Sequence, residues 1–591
     1  MKKIFIAVLA ASFAFASCSD ILDQTPQSKI SPSDYFKSES DLQLFTNPLY
    51  DLFDTEPYNE QSDLVTRQSL SDLQKGWSRQ VPASGSGWSW GTLRRINALI
   101  ANADNCDDKD IVAQYVGLAK FFRAYFYFEK VMRFGDVPWI DHELTTDSDE
   151  LYAERDSREV VMGHMLEDVD EAISVLDEGV STFRVNKYAA LALKARFCLY
   201  EGTWRKYHSL SIAGGKSADD YLQLAASAAE QIMNSGMYTL ASSYLNLFAE
   251  EDADAGEYIL AVKRDITLSL TNNSTAYATM PSQGRPGLTK KAVDMFLMAD
   301  GSRFTDKEGW ETMQFIEEVS DRDPRLACCI VTPGYKRIGG TEEVAPDYGC
   351  TITGFQIAKW VMDETLYGVN RVDMSYNDTP VFRLGEVYLN YAEAKAELGS
   401  LTQEDLDKSI NLLRDRVKMP HLNLSEANAN PDPYLLSEEY GYRNVSGANQ
   451  GVILEIRRER AVELCDEGFR YQDLMRWKEG KCLEQAFVGP YFPGVGRYDL
   501  SGDKLVDLII YTGTKPTDKN VDVRLLEASY STGIALSEGD KGYVNNIDCL
   551  TVDNRRYFDE DRDYLYPIPT DDRSLNPKLT QNPGWDDGLD Y

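Results

Sequence analysis

The sequence predicts an all-α protein: a scaffold of stacked helical hairpins carrying a large irregular, loop-rich subdomain with a few short strands. Three observations lead there. Residues 111–139 place apolar side chains at helical spacing on two faces, Ile111, Tyr115, Leu118, Phe122 and Tyr125 on one and Val112, Val116, Ala119 and Phe126 on the other. A helix apolar on two sides is buried on two sides. The same mixture of alanines and aromatics returns at residues 187–207 and 383–398, each rib followed by a second helix. Between these ribs, residues 237–380 show no sustained period, and irregular stretches of that length are commonly functional.

In chain order, Lys2 and Lys3 precede an apolar run over residues 4–15, too short to cross a bilayer and suited to an export signal. Ala16-Ser17-Cys18 then resembles a bacterial lipoprotein cleavage site, with Phe15 where leucine is usual. On that reading residues 1–17 are the signal peptide, Cys18 takes acyl chains such as palmitate, residues 18–40 form a tether, and 41–591 form one domain. Several acyl chains anchor firmly where one does not. The alternative is a plain secretory signal with a coincidental cysteine.

A short helix is expected over 42–53, then an irregular segment over 54–91. Helices follow at 92–102 and in the first rib, where Gly135 supplies the C-cap and Pro138 forbids continuation. The rib's partner is expected at 158–176; the next pair is 187–207 with 219–235, completing helical repeats over about 92–236. In the irregular segment 237–380, strands are expected at 257–270 and 355–361 and a helix at 291–298. Repeats resume over about 381–480, with helices at 383–398, 404–417, 451–465 and 469–477. Residues 484–556 are again irregular, with a strand at 505–511. Small residues such as Gly117 and Ala119 let helices approach closely. The unit resembles a tetratricopeptide hairpin, although insertions break the expected spacing of about 34 residues.

A formal net charge of −34 argues against nucleic acid and other polyanions as partners, and is compatible with a neutral ligand. The four histidines, His142, His164, His208 and His421, form no metal-binding spacing. Gly215-Lys216-Ser217 ends like a phosphate loop, but Leu210 stands at the required earlier glycine. Asp559, Asp561 and Asp563 begin like a calcium loop, but Tyr564 occupies the sharp-turn position; a structural calcium is conceivable there and is not predicted. No metal and no cofactor are expected. Of the nine cysteines none forms C-x-x-C, and Cys328-Cys329 are too constrained for an ordinary mutual bridge; connectivity is not readable. The charges at Arg457, Arg458, Glu459, Arg460 and Glu463 nearly balance, which favours ion pairs holding helices in register over an anion site.

The aromatic pattern says more. Trp77, Trp88 and Trp90 lie among glycines and serines, where a loop can present a ring face. A pyranose has an apolar face and a hydroxyl rim. Flat rings match the face, and Arg79, Asp72 and Asn97 are placed to match the rim. Tyr277, Trp310 and Tyr335 are second candidates in the insertion. The competing reading is that these rings fill the space between loop and scaffold.

Four segments, 119–139 (AKFFRAYFYFEKVMRFGDVPW), 382–399 (FRLGEVYLNYAEAKAELG), 453–477 (ILEIRRERAVELCDEGFRYQDLMRW) and the ending YPIP through NPGW, resemble the SusD/RagB family of outer-membrane nutrient-binding lipoproteins. The resemblance implies a tetratricopeptide-like scaffold with an irregular ligand-binding subdomain, lipid-anchored in the outer membrane and facing the cell exterior. It implies capture of neutral oligo- or polysaccharide, delivery to a TonB-dependent transporter barrel of the SusC type, and no catalysis. Capture of peptide or protein on the same scaffold is the alternative. A lipid-anchored glycoside hydrolase is a further one, for which paired carboxylates give no support, since 95 acidic residues pair by chance everywhere.

Overall fold

The 26-residue rib forms because both ends are capped and its length is packed. The carboxylate of Asp108 accepts from the backbone N–H groups of Asp110 and Ile111, and Gly135, at φ 73°, ends the helix. The structure is a computed structural model. It describes residues 35–591 apart from Thr55, Trp77, Val180 and residues 519–523, 528–533 and 547–555. The expected signal peptide, Cys18 and nearly all of the tether therefore lie outside the described residues.

The stack opens with α1 (Glu39–Thr46), α2 (Gly91–Asn102) and the rib, α3 (Lys109–Phe134). Helix α3 packs on α4 (Arg158–Val175), and α5 (Lys187–Tyr207) packs on α6 (Ala218–Asn234). Small residues set these approaches. A Cβ on Gly117 would come within 2.3 Å of Val175 Cγ2, and one on Gly202 within 2.8 Å of Leu222 Cγ. Buried ion pairs fix the register. Arg123 on α3 grips Asp168 on α4 through two bonds of 2.6 and 2.7 Å. Arg158 on α4 reaches Glu201 on α5 at 2.6 Å.

The insertion is pinned at both ends by one ladder. Strand β1 (Tyr258–Val262) pairs antiparallel with β2 (Thr379–Arg383), Val262 opposite Thr379. Between them lie α7 (Lys290–Met295) and α8 (Arg325–Cys329). The chain then returns to the stack through α9 (Leu384–Glu397), α10 (Gln403–Asp407), α11 (Ile410–Arg416), α12 (Gln450–Glu463) and α13 (Arg470–Arg476). Two small sheets follow. Strands β3 (Val488–Phe492), β8 (Gly542–Asn546) and β7 (Ile534–Leu536) form one; β4 (Gly496–Tyr498), β5 (Leu508–Tyr511) and β6 (Arg524–Glu527) form the other. Helix α14 (Thr570–Leu575) lies near the C-terminus.

The three segments expected to be irregular converge. Val65 and Thr66 pair with Leu288 and Gly287. Tyr58, Ile352, Phe492 and Val544 then share one hydrophobic core, distinct from the core of α2–α6.

Several expectations are corrected. The helix expected over 42–53 becomes α1 plus a 3-10 turn, Asn47–Leu52, where Pro48 removes an N–H. The strand over 257–270 stops at Val262, because the Asp265 carboxylate turns the chain by accepting from Thr267 and Leu268. Residues 355–361 make only isolated bridges, from Gln356 to Gly287 and Ile357 to Ile330, and Trp360 turns to φ 70°. The helix over 404–417 breaks at Ser409 into α10 and α11. The strand over 505–511 shortens to β5, and the other strands of its segment were not expected.

The charged face of α12 is buried and paired. Glu463 meets Arg383 at 2.8 Å, Arg416 at 2.6 Å and Arg325 at 3.0 Å. Arg460 meets Asp473 at 3.1 Å, and Arg476 meets the same carboxylate at 2.7 Å. These pairs tie the insertion to the stack, as the balance of charge in that stretch anticipates.

Candidate functional site

The upstream aromatic loop is largely scaffold. Trp88 is only 7% exposed, edge-on to Phe134 at 4.9 Å and to Trp90 at 5.2 Å. Trp90 is half-buried against Phe126 and Tyr127, with the Lys130 ammonium 5.5 Å from its ring centre. The expectation that Trp88 presents an open face is corrected: α3 supplies rings for it to pack on. Trp77 lies outside the described residues.

The expected polar rim is mostly occupied. Arg79 is buried, donates to the Asp563 carbonyl at 2.8 Å and stacks over Tyr566 and Trp585. Asn97 is buried, and its amide donates to the carbonyls of Ile140 and His142, both at 3.0 Å. Asp72 is exposed but accepts from Ser78 Oγ at 2.6 Å. Tyr277 is buried against Tyr58, its hydroxyl 3.2 Å from Asn59 Oδ1. Tyr335 is half-buried, and burial raises its hydroxyl pKa. Trp88, Trp90 and Asn97 do share a cleft of about 480 Å³, walled also by Leu151, Tyr152 and Leu575. It lies between the start of α2, the 138–153 loop and α14.

Trp310 has different company. It stands edge-on to Tyr434 at 5.5 Å and 90°, and 6.2 Å from Tyr440. Tyr434 and Tyr440 stack at 5.0 Å and 14°. The Tyr543 hydroxyl donates to the Glu311 carbonyl at 2.7 Å, which sets its ring beside this group, and Tyr491 joins it at 5.5 Å. Trp310, Tyr440, Tyr491 and Tyr543 are half-buried, whereas Tyr434 is buried. The result is a ring platform on the insertion lobe.

Its base is rigid and charged. The Lys290 ammonium lies 5.2 Å from the Trp310 ring centre and is held by Asp294 at 3.0 Å and Glu318 at 2.5 Å. Burial pushes the Asp294 carboxyl up to about 6 against the pull of Lys290, with Glu318 adding to the rise. At the edge, burial and the neighbouring Glu439 carboxylate both raise the Tyr440 hydroxyl pKa. Glu308, Glu311, Glu438 and Glu439 are exposed nearby in sequence. Flat rings bordered by carboxylate acceptors suit a solute with an apolar face and many hydroxyl donors.

Only Trp310 of this platform was among the sequence candidates. Tyr440, Tyr491 and Tyr543 were missed, because β3 pairing with β8 brings the last two together, with Tyr543 opposite Tyr491. A usable signal was the aromatic density of PYLLSEEYGY and GPYFPG in otherwise irregular sequence.

Among the described residues, one carboxylate group has metal-like geometry: oxygens of Asp499, Asp503 and Asp507 lie within 4.8 Å of one another. Each already caps its own turn, Asp507 accepting from Leu500 and Ser501 and Asp499 from Gly502 and Lys504. In the acidic run before Tyr564, Asp563 pairs with Arg562 at 2.8 Å and Arg79 at 3.2 Å. No helix of the described residues is long and apolar enough to cross a membrane.

Comparison with known proteins agrees with the helical, insertion-bearing architecture. A model described as starch-binding associating with outer membrane matches residues 91–199. SusD-like protein P2 of Formosa agariphila is 25% identical, over 81% of this chain and 92% of its own. A SusD-like protein of Bacteroides ovatus is 25% identical over 44% of this chain and 50% of its own. Among solved structures, a SusD-like carbohydrate-binding protein of Bacteroides fragilis superposes with a TM-score of 0.66 at 22% identity, covering 92% of this chain and 99% of that one. A second SusD-like protein of Bacteroides fragilis gives 0.67 at 21% identity, over 95% and 100%. The SusD family model itself spans residues 259–585, more than half of the sequence, from β1 to the closing NPGW, and the chain belongs to the SusD family.

Proposed function

We propose that this protein is a lipid-anchored, outward-facing protein of the outer membrane that captures neutral oligo- or polysaccharide and hands it to a TonB-dependent transporter barrel, without catalysing a reaction. The observation that carries the reading is the cluster of half-buried rings Trp310, Tyr440, Tyr491 and Tyr543 on the insertion lobe. Family membership and a structural neighbour described as carbohydrate-binding support the ligand class. The carboxylates bordering the rings favour hydroxyl donors and repel anionic glycans. Individual sites of this openness bind weakly, and many copies on one surface recover avidity.

Retardation of the purified protein in gels containing neutral polysaccharides tests it. Trp310→Ala and Tyr543→Ala should each weaken retention about three- to tenfold at a temperature where the variant remains folded. No retardation across a broad neutral panel would sink the reading, and release of shorter sugars would make the protein a hydrolase. A second reading, capture of peptide or protein, has its own observation: Tyr152 and Leu575, at 55% and 74% exposure, line the α2–α14 cleft. It predicts retention of peptides that Leu575→Ser abolishes.

A further inference from the structure

The rib carries one side chain that its packing does not explain. From Phe121 to Met132 every residue of α3 is buried except Glu129, which is exposed. That exposure is to a cleft and not to open surface. Glu129 lines a cavity of about 310 Å³ between α3, α5, β2 and the turn that joins α12 to α13. Burial raises its carboxyl pKa against the pull of Arg196, and Asp54, on the same wall, adds to the rise. Asp54 spends one oxygen on the Glu56 N–H at 2.8 Å. Neither carboxylate has an ion-pair partner among the described residues.

The other charges around the cavity are matched. The Arg196 guanidinium holds Glu386 through two bonds of 2.7 Å. Arg383 meets Glu467 at 2.8 Å, and Asp473 receives Arg460 at 3.1 Å and Arg476 at 2.7 Å. The uncancelled charge is that of Glu129 and Asp54. Two further lining oxygens lack donors: Gln472 Oε1 and the Tyr200 hydroxyl are buried with no hydrogen-bond partner among the described residues, and Tyr200 is 3% exposed. Tyr125, Phe128, Met132, Leu199 and Phe469 supply apolar wall. Surplus acceptors and surplus negative charge call for a cationic donor, and rings and aliphatic side chains call for methylenes beside it. A hard metal ion wants six or more oxygens and has no use for such walls.

We propose that this cavity binds a small aliphatic ammonium, its nitrogen donating to the Glu129 carboxylate and its carbon chain lying against the apolar wall. The volume limits the occupant to a small molecule. The site shares no residue with the ring platform, so ammonium binding and polysaccharide capture are separable.

Isothermal titration of the full chain with 1,4-diaminobutane tests this, in about 0.3 M sodium chloride to screen the general pull of a net charge of −34. The controls are 1,4-butanediol and succinate, of the same length without positive charge. The diamine should bind saturably and one-to-one, and the controls should not. Glu129→Gln should weaken diamine binding about ten- to hundredfold. This variant removes a desolvated charge and keeps the shape, so its unfolding midpoint should not fall, which separates lost binding from lost fold. Absence of saturable binding to the wild type, equal affinity in a folded Glu129→Gln, or equal binding of butanediol would each overturn the proposal.

Discussion

Asp466 carries a carboxyl that nothing in the described structure satisfies. It is 2% exposed, sits at φ 58°, and neither side-chain oxygen has a hydrogen-bond partner among the described residues. Burial raises its pKa well above the usual range, and the neighbouring Glu60 adds to the rise. Burial likewise raises Glu60, to about 7. A folded pKa above the unfolded one means that the fold binds the proton more tightly. The stability tied to that proton is full below about pH 4 and is lost as pH rises toward the folded value. Asp466→Asn removes the charge and keeps the shape, and asparagine tolerates positive φ. It should raise stability at pH 8 by about 1–3 kcal/mol and flatten the decline above pH 5 in thermal unfolding curves. An unchanged pH profile would show that the carboxyl is satisfied after all.

At the scale of elements, the ribs depend on glycines with opposite roles. A Cβ on Gly117 of α3 would meet Val175 Cγ2 at 2.3 Å, whereas one on Gly163 of α4 would meet open space. Alanine is favoured over glycine in a helix interior by about 1 kcal/mol. Gly163→Ala should therefore gain about 0.5–1 kcal/mol, and Gly117→Ala should lose about 1–3 kcal/mol to overpacking, both read by chemical denaturation. A gain at Gly117 would mean that α3 and α4 are free to separate. The ribs were legible because a 3.6-residue period and small residues are local signals. Trp88 and Trp90 misled because glycine and serine around them describe an open loop, while the rings they pack on, Phe134, Phe126 and Tyr127, belong to another element. The platform was hidden for the converse reason. Trp310, Tyr440 and Tyr543 are assembled by the Tyr543–Glu311 bond and the β3–β8 ladder, and no local pattern encodes either.

For the whole molecule, one carboxylate joins what the chain separates. Glu463 on α12 receives Arg325 from the insertion, Arg383 from the β1–β2 ladder and Arg416 from α11. Despite its burial, these arginines hold its carboxyl far below the carboxylate range. The sign is opposite to that of Asp466: a depressed folded pKa stabilises above the unfolded value of about 4.3 and is lost as pH falls. Asp63, between Arg470 and Lys291, behaves the same way. With Asp466 and Glu60 penalising high pH and Glu463 and Asp63 penalising low pH, the stability these four groups supply should peak at about pH 4, near the unfolded carboxylate values. Glu463→Gln leaves three buried guanidinium groups short of charge and should cost about 3–5 kcal/mol. The residue lies in the ion-pair core and outside the ring platform. If the lobe's position on the stack matters to capture, this variant should also weaken polysaccharide retention at temperatures where it remains folded. Full retention by a folded Glu463→Gln would show that the platform works independently of its mount, and the network would then serve stability alone.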